Sequence, residues 1–301
     1  MKKNKRKGIK LRNKIIAILL IIIATISAIH TTLEKQKTKK LSIQYKKAIN
    51  QLIEEAANIK ENTEGTTYYI SEQGSSNDGT NINEPMSLKT ANTKTYKGND
   101  KILFKAGETF YGTINFNIST SENEYVYIGA YGEGDKPIIS GANILTNAQA
   151  WSLEEGLYKI DLSNYNNFEG IGKTYWEPYN IGFIADDTGN IYGNRKKSKT
   201  EITDEYDYYC EDNYLYIKCS KNPTEKLGKI KFVSRNNLVS ISSNTILENL
   251  DIQYTGAHGI VKKNDELKNV YIKKSISEKF IMFLDFLSWR NPAEKFTIYS
   301  S

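Results

Sequence analysis

Three segments share one apolar spacing: Leu227-Gly-Lys-Ile230-Lys-Phe232, Leu247-Glu-Asn-Leu250-Asp-Ile252 and Leu267-Lys-Asn-Val270-Tyr-Ile272 recur at an interval of 20 residues. A fixed period of that size is the mark of a repeat architecture. Each copy ends apolar-polar-apolar, the two-residue alternation of a strand with one buried face. The spacing therefore predicts a β-solenoid, with one strand per repeat and each coil burying its apolar face against its neighbours. Such stacking puts Leu227, Leu247 and Leu267 in one inner column, with Ile230/Leu250/Val270 and Phe232/Ile252/Ile272 beside it. It sets Asn249 over Asn269 as a turn ladder and Lys231, Asp251 and Tyr271 in an outer column, where Lys231 and Asp251 would form a surface ion pair.

The chain before this stretch is organised differently. Residues 1–14 hold eight Lys or Arg and no acid, which leaves 33 basic against 35 acidic groups in the remainder of a chain whose formal charge is +6. The basic character belongs to the N-terminus, so no nucleic-acid partner is expected of the rest. The basic run leads into Ile15–Ile29, and no further charge stands before Glu34. Residues 1–33 therefore read as an export signal or membrane anchor. Ala28 is the best small residue for a cleavage site but has Ile26 two positions before it, which favours an uncleaved single-pass anchor over a cleaved signal peptide. Either way the bulk of the chain is expected outside the cytoplasm, at the cell membrane or secreted.

Residues 34–66 read as a stalk, with Tyr45, Ile49, Leu52, Ala56 and Ile59 at helical spacing. From Thr67 short strands and turn formers take over, too closely spaced for α/β crossovers, so the fold class expected is all-β. Within Glu205–Cys219 a hairpin turning near Asp212-Asn213 would set Cys210 opposite Leu215 and Cys219 opposite Tyr206, leaving the two cysteines as free thiols.

The order of motifs carries a resemblance. Tyr68-Tyr-Ile-Ser, Ser76-Asn-Asp-Gly-Thr80, Ile102-Leu-Phe-Lys-Ala-Gly-Glu-Thr-Phe-Tyr-Gly112, Gly129-Ala-Tyr-Gly-Glu-Gly-Asp-Lys-Pro-Ile-Ile-Ser-Gly141 and Leu247-Glu-Asn-Leu-Asp-Ile-Gln-Tyr-Thr-Gly-Ala-His-Gly-Ile260 resemble exported bacterial right-handed parallel β-helix proteins of the pectate-lyase-like group. The resemblance covers about Thr67 to Lys274. It implies a parallel β-helix domain over residues 67–274. Within it residues 151–222 read as an insertion on one face, often the binding face, whose aromatic rings either stack on sugars or pack it against the coils. Residues 275–301, apolar and aromatic without the preceding alternation, read as an atypical tail. The resemblance implies a polysaccharide partner and a monomeric protein. Activity follows less closely, since the group holds lyases, hydrolases, epimerases and proteins without known catalysis.

Cleavage of an acidic polysaccharide by β-elimination needs a cation against the uronate carboxylate, a base for the C5 proton and an acid for the leaving oxygen. On the outer face of the middle coils the groups of that kind are Asp251, Tyr254, His258 and Lys262, with calcium as a possible cofactor. His258, in Gly256-Ala-His-Gly259, reads either as a functional turn residue or as one bonded to backbone. Hydrolysis needs two carboxyl groups at a set separation. Asp186 and Asp187 are adjacent, but neighbours on a strand point to opposite faces. The acidic run Glu201–Asp207 suits either a calcium loop or plain solvation. Non-catalytic glycan binding, and an inactive truncated chain, stand beside the enzymatic readings. The 20-residue beat fails at its next copy, where Leu287, Arg290 and Pro292 would fall, and Pro removes a ladder donor.

Overall fold

The computed structural model describes residues 39, 40, 43, 44, 47, 64–121, 123–163, 181–211, 213–234, 237–264, 267–275, 280–284 and 296–299. The chain divides into two compact units, Met1–Ile59 and Lys60–Ser301. In the first, Lys39, Lys40, Ile43, Gln44 and Lys47 are helical and exposed. The segment expected to be a signal or anchor, the stalk seam Tyr45 to Ile59, and Arg290 and Pro292 lie outside the described residues.

The second unit is mostly strand. Its first part runs β1 (Thr67–Ser75), the short helix α1 (Leu88–Ala91), β2 (Thr95–Lys97), β3 (Lys101–Lys105), β4 (Thr109–Tyr111), β5 (Asn117–Ser119), β6 (Val126–Tyr131) and β7 (Ile138–Ser140). β3 shows why these stretches are strands: Ile102 and Phe104 are fully buried while Lys101 and Lys105 point away, the alternation of a pleat. At the end of β3, Gly107 turns the chain at a positive φ, a conformation that suits a residue without Cβ. Asp100 ties neighbouring strand starts together, since its carboxylate accepts from the backbone N–H groups of Thr66 and Lys97.

The middle part is β8 (Ala142–Leu145), β9 (Ser152–Glu154), β10 (Leu157–Asp161), β11 (Ile181–Asp186), β12 (Ile191–Tyr192), β13 (Tyr208–Glu211), β14 (Tyr214–Ile217), α2 (Pro223–Leu227) and β15 (Ile230–Ser234). The last part is β16 (Val239–Ile241), β17 (Thr245–Glu248), β18 (Asp251–Gln253), β19 (Thr255–Lys262), β20 (Val270–Lys273), β21 (Phe280–Leu284) and β22 (Phe296–Tyr299).

The first and last parts build parallel sheets with strand orders β1-β3-β6-β17-β20-β22, β4-β7-β18 and β16-β19-β21, while β2 pairs with β5. The chain visits the first three in rotation, as in the succession β17, β18, β19, β20. The middle part is an excursion of antiparallel strands, in sheets ordered β13-β14-β10-β9 and β12-β11-β15-β8. Because of it β6 stacks directly on β17, with Ile128 opposite Leu247, although the two are far apart in the chain.

This register corrects the 20-residue beat. Leu247 pairs with Ile272 and Thr245 with Val270. The backbone N–H of Leu250 donates to Ser275 Oγ across 25 residues. Ile230 and Phe232 do not stack under Leu250 and Ile252 at all, because β15 lies antiparallel between β8 and β11. An apolar-x-apolar strand reads alike in both settings, so three copies agreed in spacing without sharing a sheet. The asparagine ladder exists one turn away from its expected place: Asn269 Nδ2 donates to Asn244 Oδ1 at 2.9 Å, again across 25 residues. Both residues take positive φ, which asparagine tolerates better than most. The repeat test at Leu287, Arg290 and Pro292 rested on the wrong interval; in the observed register Ile272 pairs with Ile298, and β21 and β22 extend two of the parallel sheets.

Two main cores follow from the two kinds of sheet. Between the parallel sheets lie Ile70, Phe104, Phe110, Phe116, Ile139, Leu247, Ile252 and Ile272, with the Phe104 and Phe110 rings edge to face at 4.9 Å. The excursion has its own core around Leu145, Trp151, Ile160, Ile184, Leu215, Ile230 and Phe232. Each such fully buried Ile, Leu or Phe contributes about 1.5–3 kcal/mol of apolar burial.

Candidate functional site

The excursion leaves and re-enters the parallel sheets at one corner. In the pass below, Tyr111 at the end of β4 is joined to Ile114 by Gly112 and Thr113 alone. In the next pass Ser140 pairs with Tyr111 and Val239 with Ile114, and the whole excursion stands between them. Both ends are tied to the pass below, Gly112 N–H donating to Ser140 O at 3.1 Å and Ile114 N–H to Leu238 O at 2.9 Å.

The pass above closes the same corner with Tyr254. Register places Tyr254 over Gly141, which lies over Gly112, so a large residue stands where the two passes beneath have glycine. Gly141 is required there, since a Cβ on it would come within 2.5 Å of Tyr254 O. Tyr254 itself has a positive φ, a rare conformation for a bulky side chain. Its ring is nearly buried and packs with Ala142, Phe183, Ala185 and Val233 of the excursion. Beside this contact Gly182 of β11 meets Gly256 of β19 so closely that a Cβ on Gly182 would lie 2.6 Å from the Gly256 Cα. Two glycines thus let the excursion sit directly against the parallel sheet.

Polar groups gather at this foot. Lys231 Nζ lies 4.8 Å from the centre of the Tyr254 ring, close enough for a cation–π contact. It donates to Tyr254 Oη at 3.3 Å and to Asp187 O at 3.1 Å. The Asp187 carboxylate faces two lysines, 3.8 Å from Lys231 Nζ and 3.9 Å from Lys229 Nζ. Tyr111 is 39% exposed and belongs to the same neighbourhood. Burial first, then the negative charge of Asp187, raise its phenol above the ordinary value. The foot therefore offers one part-exposed and one nearly buried tyrosine, two ammonium groups and the Asp187 carboxylate, with the negative charge of Glu72 also acting on Tyr111.

Asp186 ends β11 and Asp187 opens the turn after it, and the two carboxylates have different partners. Asp186 is buried and accepts from Thr188 Oγ1, Tyr192 Oη and the backbone and side-chain N–H groups of Asn190. These bonds, that from Thr188 foremost, hold its carboxyl well below the usual range and assign it to the β11–β12 hairpin.

Of the four residues singled out from the sequence, Tyr254 stands at the foot. Asp251 is on β18, with Oδ2 accepting from Gln253 Nε2 and Oδ1 buried without a hydrogen-bond partner. His258 is on β19, and its Nδ1 lies 3.1 Å from Asn237 Oδ1, a side-chain partner where a backbone one was the structural expectation. Lys262 closes β19, its backbone in register with Ile241. Lys231 pairs with Asp187 instead of Asp251 because β15 belongs to the excursion. The sequence signals for the foot were present in Lys231 and Asp187, but only the tertiary register brings them to Tyr254.

The acidic run is engaged internally. Glu205 bonds Lys226, Ser220 N–H and Ser220 Oγ, which holds it at about 2, the Lys226 bond foremost. Asp207 is fully buried against Lys196 at 3.0 Å. Among the described residues no group of three or more His, Cys, Asp and Glu stands close enough to hold a metal ion. Cys210 faces Leu215, and both thiols are free and buried, with burial pushing each above its ordinary pKa.

No family model matches the chain, and no curated protein matches it. Among solved structures, XylC in complex with xylose is similar over 76% of this chain and 44% of that one, at 12% identity and a TM-score of 0.46. A GH136 lacto-N-biosidase from Eubacterium ramulus is similar over 78% of this chain and 30% of that one, at 19% identity and a TM-score of 0.36. A glycoside hydrolase covers 63% of this chain and 50% of its own, at 12% identity and a TM-score of 0.36. The chain thus spans half or less of the length of these proteins.

Proposed function

We propose that the unit Lys60–Ser301 is a right-handed parallel β-helix that binds an acidic polysaccharide at the foot of its antiparallel excursion. One chain passing in rotation through three parallel sheets supports the β-helix, and parallel crossovers are overwhelmingly right-handed. The observation that carries the binding reading is the cluster of Asp187, Lys229, Lys231 and Tyr254 where the excursion meets the sheet, with Tyr111 two strands away in the same parallel sheet. Insertions on repeat folds often form the binding face. A half-exposed tyrosine beside fixed ammonium groups suits a ligand with an apolar ring face and a carboxylate. Export by residues 1–33 would place this surface where such polymers occur, and cell fractionation tests it.

The test is titration calorimetry of the full-length protein with oligogalacturonate and with a neutral gluco-oligosaccharide. Lys231→Met should weaken binding of the acidic oligomer roughly tenfold, the scale of one hydrogen bond from a charged group. Absence of binding to any member of a panel of acidic and neutral glycans would sink the reading.

A second reading, β-elimination, is favoured by one contact, the Lys231 ammonium 3.3 Å from the Tyr254 hydroxyl. A cation held against a phenol is a means of neutralising a uronate while a proton is moved. Growth of ultraviolet absorbance from an unsaturated product, lost in Tyr254→Phe, is its expected signature.

A further inference from the structure

Asp187 occupies an unusual position within the cluster. Its carboxylate is 56% exposed and stands between two lysines at 3.8 and 3.9 Å, beyond hydrogen-bond distance from either. Lys231 does not depend on that carboxylate for its placement. Its side chain is only 15% exposed, and its ammonium is fixed by the Asp187 carbonyl oxygen, the Tyr254 hydroxyl and the Tyr254 ring. Two ammonium groups thus face the one Asp187 carboxylate. A through-space pair at an exposed site is weak, and a ligand that made direct bonds to the same lysines would displace it.

We propose that Asp187 is an internal competitor for the ligand, holding the place that the carboxylate of a uronic-acid sugar takes between Lys229 and Lys231. This rests on the polysaccharide-binding reading and adds to it a device that sets the affinity for acidic ligands. A neutral sugar gains nothing from exchanging with Asp187, whereas an acidic one releases it to solvent and replaces two long contacts by two direct ones. The arrangement lowers affinity for acidic ligands and leaves that for neutral ones unchanged, so it narrows the gap between the two.

The experiment is calorimetric titration of full-length wild type, Asp187→Asn, Asp187→Glu and Lys229→Met with oligogalacturonate and a neutral gluco-oligosaccharide. Asp187→Asn should raise the ratio of acidic to neutral affinity roughly two- to fivefold, the scale of one exposed ion pair. Asp187→Glu should return the ratio towards wild type, and Lys229→Met should lower it. Wild-type binding with an unchanged or reduced ratio in Asp187→Asn overturns the proposal while leaving the binding reading intact. Lack of binding by both wild type and Asp187→Asn overturns the binding reading itself. Should Asp187→Asn fold poorly by circular dichroism, the Lys229→Met ratio decides, and no decrease there overturns the proposal.

Discussion

The parallel sheets and the antiparallel excursion solve the same problem, burying alternate residues of short strands, by different means. In the parallel sheets neighbouring strands come from separate passes of the chain, and corresponding positions stack: Ile102, Ile128, Leu247 and Ile272 form one continuous column. In the excursion neighbours come mostly from local hairpins, and ionic pairs brace it, at the surface in Lys159 with Glu154 and Lys199 with Glu211 and against a buried carboxylate in Lys196 with Asp207. Lysines there also lie over tyrosine rings, Lys159 over Tyr214 at 4.4 Å and Lys199 over Tyr216 at 4.5 Å. The difference teaches where each region is vulnerable: the stack to cavities, the excursion to cavities and to pH.

The largest expected effect breaks the stack. Phe104→Ala removes a fully buried ring that touches Phe110 and Phe116, and should cost about 3–5 kcal/mol in chemical denaturation. Since the excursion is rooted in the stack at both ends, both regions should lose protection from hydrogen exchange together. Leu215→Ala, in the excursion core, should cost about 2–5 kcal/mol. Here the loss should be confined to β8–β15, leaving β3 and β6 protected; loss of protection in β3 and β6 as well would show the two regions to be one cooperative body.

A smaller effect sharpens the ladder. Asn244→Ala removes the bond from Asn269 and puts alanine at a positive φ. A cost of about 1–3 kcal/mol is expected, measured by denaturant midpoint. Asn244→Gly should recover part of it. The smallest effect is acidic. Glu205 is held at about 2 by Lys226 and Ser220, below the ordinary carboxylate range. Its contribution is therefore present above that range and is lost as pH falls through the depressed value. The excursion should loosen in acid before the stack, and Glu205→Gln should flatten that part of the profile; exchange rates measured across the same pH range check it.

These contrasts also explain what the amino-acid order reveals. The pairing of Cys210 with Leu215 was legible because a hairpin with a marked turn dictates its own register. The alternation in Lys101–Lys105 was legible for the same local reason. The stack of Ile128 on Leu247 was not, since nothing near either residue records that a whole excursion intervenes. The same gap hid the foot. Tyr254 stood out as one of the polar groups on the outer face of the middle coils, but its neighbours Lys231 and Asp187 lie on other elements, and a misplaced β15 paired Lys231 with Asp251.

The corner at Gly112-Thr113 has a consequence for how such a chain can vary. The two ends of the excursion are held by neighbouring hydrogen bonds from one short segment, Gly112 to Ile114, so the surrounding sheets experience the same two anchor points whether the connection is long or short. Closing a longer loop between fixed ends adds little entropy cost for each further residue. The corner is thus a port at which whole modules can be exchanged, each bringing its own folded interior and its own set of charges to the same stationary frame.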